Sequence, residues 1–254
     1  MNWNDIVQKV TPYVVKIETP SGHGTGFICL YNETRQFFGI ATAYHVVGHA
    51  DEWLQPIRIH YHTPGAVSFL REGQRVIFSD RARDSAVIFA EIGDLKLPKE
   101  LIPLLPVETR LPIGVDVGWL GYPAMSAHQL CFFSGNVSAF QEFRHAYLID
   151  GVAINGVSGG PVLHLTAADG VHIVGSVSAY IANRATGQTL PGLSMAQDVS
   201  HLHEIVKHIQ SMDEAFAKQK EQKAEQAAEA DATGPSGPTG PTGPTSPPSG
   251  DTLA

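Results

Sequence analysis

The chain has 254 residues, of which 43% are hydrophobic and 17% charged, and its formal net charge is −8. This composition supplies enough apolar side chains for a sizeable buried core, and the acidic balance lacks the basic excess that is typical of nucleic-acid-binding proteins. No apolar run approaches the roughly 18 residues that span a bilayer. We therefore expect neither nucleic-acid nor membrane partners.

The N-terminus and the cysteines bear on the cellular compartment. The first ten residues, MNWNDIVQKV, lack the basic segment and apolar run of a secretory signal. The two cysteines are Cys29 and Cys131. A disulfide between them is compatible with the sequence, but two reduced thiols are the favoured interpretation. Together these features predict a cytoplasmic protein.

Short runs of β-forming residues, broken by Gly, Pro, Asn and Asp, fill most of the first 200 residues and predict strands. A first group of strands is predicted at 13–18, 25–30, 37–43, 57–61, 75–79 and 85–91. A second group is predicted at 115–120, 130–140, 146–150, 160–165, 171–181 and 193–196. The four prolines of the connection at 96–114 discourage regular structure. Two groups of six strands, without long amphipathic helices between them, predict an all-β fold of two antiparallel barrels rather than a parallel α/β sheet.

The pattern changes after Ser200, where apolar residues recur at helical spacing and predict a helix at about 200–216. Residues 217–230 are rich in Lys, Glu, Gln and Ala without an apolar face, which fits either a solvated helical extension or a disordered segment. From Gly234 glycine recurs at every third position, as in collagen. Because the repeat is very short, we interpret it as a disordered tail, with collagen-like assembly as the alternative. The extension could mediate self-association.

Three segments contain the residue types of nucleophilic catalysis. They are Thr-Ala-Tyr-His45-Val, Asp84-Ser-Ala-Val and Gly156-Val-Ser158-Gly-Gly-Pro. A serine hydroxyl is a poor nucleophile unless a base removes its proton, which a neutral imidazole does near pH 7. A carboxylate fixes the tautomer of that imidazole and stabilises the imidazolium. The segments therefore predict Ser158 as nucleophile, His45 as base and Asp84 as the group that orients the base.

The three motifs, in this order, resemble those of the trypsin-like serine peptidases and especially their bacterial HtrA-like members, over about residues 10–210. The resemblance implies a peptidase domain at 1–212, with barrels at about 10–97 and about 113–198 and a helix at about 200–216. An extension and tail would follow at 217–254, without a PDZ module. It also implies a serine endopeptidase that acts on proteins or peptides through an acyl-enzyme, with no metal and no cofactor.

The resemblance further implies an oxyanion hole formed by the backbone N–H groups of Gly156 and Ser158. Digestive members of the family have an Asp before the nucleophile, which pairs with a newly freed N-terminus. This chain has Val157 there, which predicts an enzyme that needs no N-terminal cleavage.

The same alignment predicts the specificity pocket. Val152 would form its floor, and its walls would contain Ser178, Ala179, Tyr180 and Gly192. The floor residue is not an Asp, so selection for Lys or Arg is not expected. We predict a shallow apolar pocket for side chains such as those of Ala and Val.

Several alternatives remain at this point. Asp80 lies close enough in sequence to compete with Asp84 for the orienting role. Gly-x-Ser-x-Gly is also the nucleophile motif of α/β-hydrolase esterases, where the acid and histidine follow the serine. The corresponding residues here would be Asp169 or Asp198 with His201 or His203. A catalytically silent peptide-binding module on the same fold is another alternative. His60 and His62 alternate along a strand, and a polar strand face is favoured over a metal site.

Overall fold

The computed structural model describes residues 2–166, 170–182 and 189–232, with the side chains of 179–182, 189–191 and 227–232 excluded. Residues 1–213 form one compact unit and residues 214–254 a second. The first unit consists mainly of two antiparallel β-structures, joined by a connection without helix or strand between residues 92 and 115. The predicted Gly-Pro-Thr tail lies outside the described residues.

The first β-structure is a seven-stranded antiparallel sheet with two short helices beside it. Its strands follow the order β5-β4-β1-β2-β3-β7-β6. Its elements are α1 (Trp3–Val10), β1 (Val14–Thr19), β2 (Gly22–Tyr31), β3 (Phe37–Ala43), α2 (Tyr44–Glu52), β4 (Ile57–His60), β5 (Val67–Leu70), β6 (Arg75–Asp80) and β7 (Ser85–Glu91).

The second β-structure is a closed barrel of six strands in the order β10-β13-β12-β11-β8-β9. Trp119 and Tyr147 are its largest fully buried side chains. Its strands are β8 (Asp116–Gly121), β9 (Cys131–Gln141), β10 (Ala146–Asp150), β11 (Pro161–Thr166), β12 (Gly170–Ala182) and β13 (Thr189–Asp198).

The predicted fold of two six-stranded barrels is therefore confirmed in part. The protein is predominantly β with one closed six-stranded barrel, but the first sheet has seven strands. Among the strands described, its edges β5 and β6 do not pair with each other. The buried side chain of Arg75, at the start of β6, lies at this seam instead. Its guanidinium donates to the carbonyl oxygens of Leu70 and Gln55, each at 2.8 Å, so a side chain satisfies groups that a closed barrel would pair through its backbone.

Three elements in this part of the chain, α1, α2 and β5, are missing from the predictions. Strand β5 has only four residues, and its short run follows a Pro-Gly pair, so its apolar pattern is weak. The sequence does contain a helix signal for α1, although the predicted elements do not include this helix. Asn2 and Asp5 form a capping box, and Ile6 and Val10 are buried four residues apart on one face.

The predicted C-terminal helix is confirmed and is longer than expected. α3 runs from Ser200 to Ala232. Leu202, Ile205 and Ile209 are buried, so the predicted apolar stripe packs within the first unit. In the second unit the helix continues from Glu214, and its side chains are exposed as far as residue 226.

Candidate active site

His45 lies at the beginning of α2, immediately after β3. Ala43 ends that strand with an extended backbone, and the helix begins at Tyr44. The N–H of Tyr44 donates to the carbonyl oxygen of Asp84 at 3.1 Å. The imidazole of His45 is half exposed, with 50% of its side chain accessible. The strand end therefore brings His45 to the surface beside the turn that contains Asp84.

Asp84 lies in the turn between β6 and β7, and its carboxylate contacts both the imidazole and the backbone N–H of His45. Nδ1 of His45 is 2.9 Å from Oδ2 of Asp84, and the backbone N–H of His45 donates to Oδ1 at 2.9 Å. The hydroxyl of Ser178, from β12, donates to Oδ2 at 2.5 Å. The orientation of the imidazole is thus set by a carboxylate that is itself held from the second barrel.

The charge of Asp84 follows from these contacts. Burial by itself would raise the pKa of this carboxyl. The hydrogen bonds from His45 and Ser178, together with the charge of the imidazole, outweigh burial and hold the pKa below its ordinary value. Asp84 is accordingly a carboxylate at neutral pH, as an orienting group must be.

Ser158 lies in a glycine-rich turn that enters β11. Gly156 has φ +92° and Gly159 has φ +83°, in the region that side-chain-bearing residues rarely adopt. A Cβ on Gly159 would collide with the carbonyl oxygen of Thr25 and with the hydroxyl of Thr42. The close approach of this turn to β2 therefore requires glycine, which explains the spacing of the motif.

The N–H groups of this turn divide into two sets. Those of Val157, Gly159 and Gly160 donate to backbone carbonyls at 3.1, 2.6 and 2.9 Å. Within the described part of the chain, the N–H groups of Gly156 and Ser158 donate to no acceptor. Two backbone donors beside the Ser158 hydroxyl are thus available to a ligand.

Thr25 of β2 fixes this turn against the first sheet. Its N–H donates to the carbonyl oxygen of Ser158 at 2.8 Å, and its hydroxyl donates to the carbonyl oxygen of Gly156 at 2.7 Å. The same hydroxyl accepts the N–H of Tyr122 at 2.9 Å. Because Thr25 is fully buried, it holds the turn with hydrogen bonds that water does not replace. The motif search did not identify this residue.

Ser158 and His45 face the same cleft, which has a volume of about 220 Å³ and also contains Gly156 and His23. The hydroxyl of Ser158 lies 3.4 Å from the carbonyl oxygen of Ser178. No hydrogen bond joins it to His45 among the described contacts. Such bonds often form only when a substrate is present, and rotation about the Cα–Cβ bond moves this hydroxyl within the cleft.

His23 is a cleft residue that the sequence analysis missed. Its Nε2 atom is buried and has no hydrogen-bond partner among the residues described. A Cβ on Gly156 would lie 2.7 Å from that atom, which places the imidazole against the glycine turn. His23 lies between Gly22 and Gly24 in β2, and these flanking glycines were the signal available in the sequence.

The residues predicted for the specificity pocket have different surroundings. Val152 is 52% exposed. Ser178 is buried with its hydroxyl on Asp84. Gly192 has φ +78°, and its carbonyl oxygen accepts the N–H of Gly151 at 2.8 Å. The side chains of Ala179 and Tyr180 lie outside the described residues.

The acid and histidine residues of the esterase alternative have other partners. Asp198 binds Ser200 and faces Arg110. Nδ1 of His201 is 2.8 Å from the hydroxyl of Ser85, and Nε2 of His203 is 2.9 Å from the carbonyl oxygen of Leu105. Asp169 lies outside the described residues. Since the strands also pair antiparallel, the fold and these contacts do not support the α/β-hydrolase alternative.

His60 belongs to an ionic cluster on the first sheet. Oε1 of Glu18 is 2.6 Å from Nζ of Lys16, and Oε2 is 2.8 Å from Nε2 of His60. The hydrogen bonds from Lys16 and His60 lower the pKa of Glu18 to about 2. His60 is thus paired with a carboxylate.

The low pKa of Glu18 makes stability depend on pH in a defined direction. An unfolded chain takes up this proton near the ordinary pKa of 4.5, whereas the folded chain does so only near 2. The stabilisation is therefore fully present above about pH 4.5 and is lost as the pH falls towards 2. We expect urea unfolding to show this loss for the wild type relative to Glu18→Gln. Parallel pH curves for the two proteins would contradict the assignment.

The two cysteines form no disulfide: both are free, and Cys29 is buried. Burial raises the pKa of the Cys29 thiol to about 12, so it remains protonated and unreactive.

Of the helices in the described residues, none is long and apolar enough to cross a membrane.

Comparison with known proteins places this site in a family. The model of the trypsin-like peptidase domain matches residues 24–171, more than half of the chain. A search of curated protein sequences found no match.

Solved structures with the same fold include a serine endoprotease from Yersinia pestis, with a TM-score of 0.59 and 20% identity over 82% of this chain. The chain spans 66% of the length of that structure. Deg5 aligns with a TM-score of 0.58 and 22% identity, covering 79% of this chain and 90% of Deg5. At these identities the structural matches support the fold, while the family follows from the sequence model.

Proposed function

The chain belongs to the trypsin-like peptidase domain family, and on that premise we propose that it is a serine endopeptidase with Ser158 as nucleophile. The observation that carries the proposal is the pair of unoccupied N–H donors, on Gly156 and Ser158, beside that hydroxyl. Gly156 and Ser158 both line the cleft, so these N–H groups would donate to the carbonyl oxygen of a substrate bound beside the hydroxyl.

The proposed reaction has two halves. His45 removes the proton of Ser158 as the hydroxyl oxygen attacks the peptide carbonyl, and the imidazolium then protonates the leaving amine as the C–N bond breaks. In the second half His45 takes a proton from water, which attacks the acyl-enzyme and releases Ser158 with its proton restored. Asp84 holds the imidazole with Nδ1 protonated and stabilises the imidazolium.

The N–H groups of Gly156 and Ser158 would stabilise the tetrahedral oxyanion in both halves. Removing one such donor typically costs on the order of 10²–10³ in turnover. Within the described residues the two donors have no internal acceptor. The residue before Ser158 is the uncharged, fully buried Val157, which cannot form an ion pair with a newly freed N-terminus, and this supports an enzyme that needs no N-terminal cleavage.

The proposal is tested by covalent labelling with a fluorophosphonate, which reacts only with an activated serine. We expect the untrimmed wild-type protein to be labelled, and Ser158→Ala and His45→Ala to remain unlabelled. Hydrolysis of casein by the wild type before labelling, and its loss after labelling, would identify a peptidase rather than an esterase. An unlabelled wild type would contradict the proposal and support a catalytically silent peptide-binding module.

We further propose that the enzyme cleaves after small apolar residues. Val152, which is predicted for the pocket floor, is an apolar residue without a charge that would attract Lys or Arg. A peptide library that varies the residue before the cleaved bond should be enriched in Ala and Val. A profile dominated by Arg or Lys would contradict this assignment.

A further inference from the structure

The turn that presents Asp84 has an unfavourable backbone conformation. Asp84 has φ +48°, in the left-handed region, which residues other than Gly adopt uncommonly, although Asp and Asn do so more often than most. Such a conformation persists only where the surrounding structure determines it fully. Specific contacts must therefore hold this turn.

Part of the support comes from within the turn. Oδ1 of Asp80 accepts the N–H groups of Ala82 at 2.9 Å and Arg83 at 3.0 Å. The N–H of Asp84 lies 3.3 Å from the carbonyl oxygen of Arg81, a long hydrogen bond. These bonds close the turn, and the backbone of Ser85 pairs with Ala43 and Asp80. Further contacts from outside the turn act on the side chains of the two residues that flank Asp84.

The first turn of α3 supplies that outer support at both neighbours of Asp84. Nδ1 of His201 is 2.8 Å from the hydroxyl of Ser85. Nη1 of Arg83 is 3.0 Å from Oε1 of Glu204. Asp84 therefore lies between two residues that the same helical turn holds.

The two contacts differ in their surroundings. His201 and Ser85 are only 6% and 3% exposed, and burial lowers the pKa of His201. A neutral imidazole and a hydroxyl make a hydrogen bond for which no water competes, so its loss would leave a buried polar group unpaired. The Glu204 side chain is 59% exposed, so its ion pair is weaker. His201 is thus the main contact, and Glu204 assists it.

We propose that the first turn of α3 positions the Asp84 carboxylate, with His201 and Glu204 as positioning residues that act through Ser85 and Arg83. This inference rests on the proposed function, because it assigns to the helix a role in the geometry of that site. Neither residue touches the cleft; each determines where Asp84 meets His45.

The helix provides a matched control in the same turn. Nε2 of His203 binds the carbonyl oxygen of Leu105, in the connection between the two β-structures. Replacing His203 therefore weakens the attachment of the helix without altering the contacts of Ser85 or Arg83. A loss specific to the turn of Asp84 can thus be separated from a general loosening of α3.

The test compares His201→Leu, Glu204→Ala and His203→Leu in the full chain. We expect kcat to fall roughly 10- to 100-fold in His201→Leu, as misplacement of a catalytic group by about 1 Å does, and less in Glu204→Ala, with KM unchanged in both. His201→Asn, which retains a polar atom near the position of Nδ1, should recover most of the rate. His203→Leu should stay within about threefold of the wild type.

A proton NMR spectrum supplies a readout that is independent of turnover. The strongly downfield Nδ1–H resonance of His45, which reports its hydrogen bond to Asp84, should shift or broaden in His201→Leu and Glu204→Ala but not in His203→Leu. Thermal unfolding of each variant is measured alongside, and Glu204→Ala, an exposed change, tests the proposal even if His201→Leu does not fold.

Equal losses in all three variants, or an unchanged His45 resonance in the first two, would overturn the inference. An inert wild type would instead overturn the proposed function, and the NMR comparison would still show whether α3 positions Asp84. The two failures are therefore distinguishable.

Discussion

Ser158→Ala is expected to lower kcat for a protein substrate by about six orders of magnitude, the loss seen when a serine nucleophile of this kind is removed. The substitution deletes only the hydroxyl oxygen that lies beside the free N–H groups of Gly156 and Ser158 itself. Those donors and the binding cleft remain, so about 10³–10⁴ of rate enhancement over water should survive.

The kinetic design includes a double variant and a control in the same cleft. Because nucleophile and base act as a unit, Ser158→Ala combined with His45→Ala should be no slower than either single variant. Ser21→Ala removes another hydroxyl that lines the cleft, one bound to Thr19 at 3.1 Å. It should keep nearly the full rate; a comparable loss in Ser21→Ala would contradict the assignment of Ser158.

Asp84→Asn is expected to lower kcat by about four orders of magnitude while leaving the fold unchanged. Asn tolerates the left-handed φ of +48° at this position, so the turn should be retained. Its amide has only one acceptor oxygen, whereas the carboxylate meets the backbone N–H and Nδ1 of His45 with two different oxygens, each at 2.9 Å. The imidazole would then favour the wrong tautomer for removing the Ser158 proton. Steady-state kinetics with a peptide substrate measure the loss.

Asp80→Asn is the matched control, because Asp80 was the competing candidate in the sequence. Its Oδ1 accepts N–H groups of the same turn, and an Asn side-chain oxygen can do likewise. We expect a loss of less than tenfold. If Asp80→Asn were as slow as Asp84→Asn, the orienting role of the Asp84 carboxylate would be wrong.

Strands were predictable where a continuous run of β-forming residues is clearly bounded in the sequence. β3, β7 and β10 begin and end at the predicted residues, because Gly, Pro or polar turns interrupt an otherwise continuous β-forming run. The closure of each sheet was not predictable, since it depends on how the edge strands meet. Arg75 at the seam between β5 and β6 shows why: its contacts join residues far apart in strand order.

The candidate triad could be named from local motifs alone, because each of His45, Asp84 and Ser158 lies in a short segment with its own characteristic neighbours. The glycines of the serine motif could be named in the same way, because the backbone conformation that requires them is a local property. The residues that hold the site could not be assigned that role. Ser178 was predicted for the pocket wall and His201 for the esterase alternative, and Thr25 was not predicted as a site residue; each holds the site through a contact with a distant segment.

The sequence by itself therefore determined the family, the order of the three motifs and the identity of the proposed nucleophile, because these depend on residue type and short-range spacing. Only the tertiary structure decided that the first sheet has seven strands, that Gly156 and Ser158 present free N–H groups, and that α3 holds the turn of Asp84. The seventh strand β5 is short and is recognised by its pairing with β4. The turns of Ser158 and Asp84 are held by segments distant in the chain, and a hydrogen bond between such segments leaves no periodic pattern in either one.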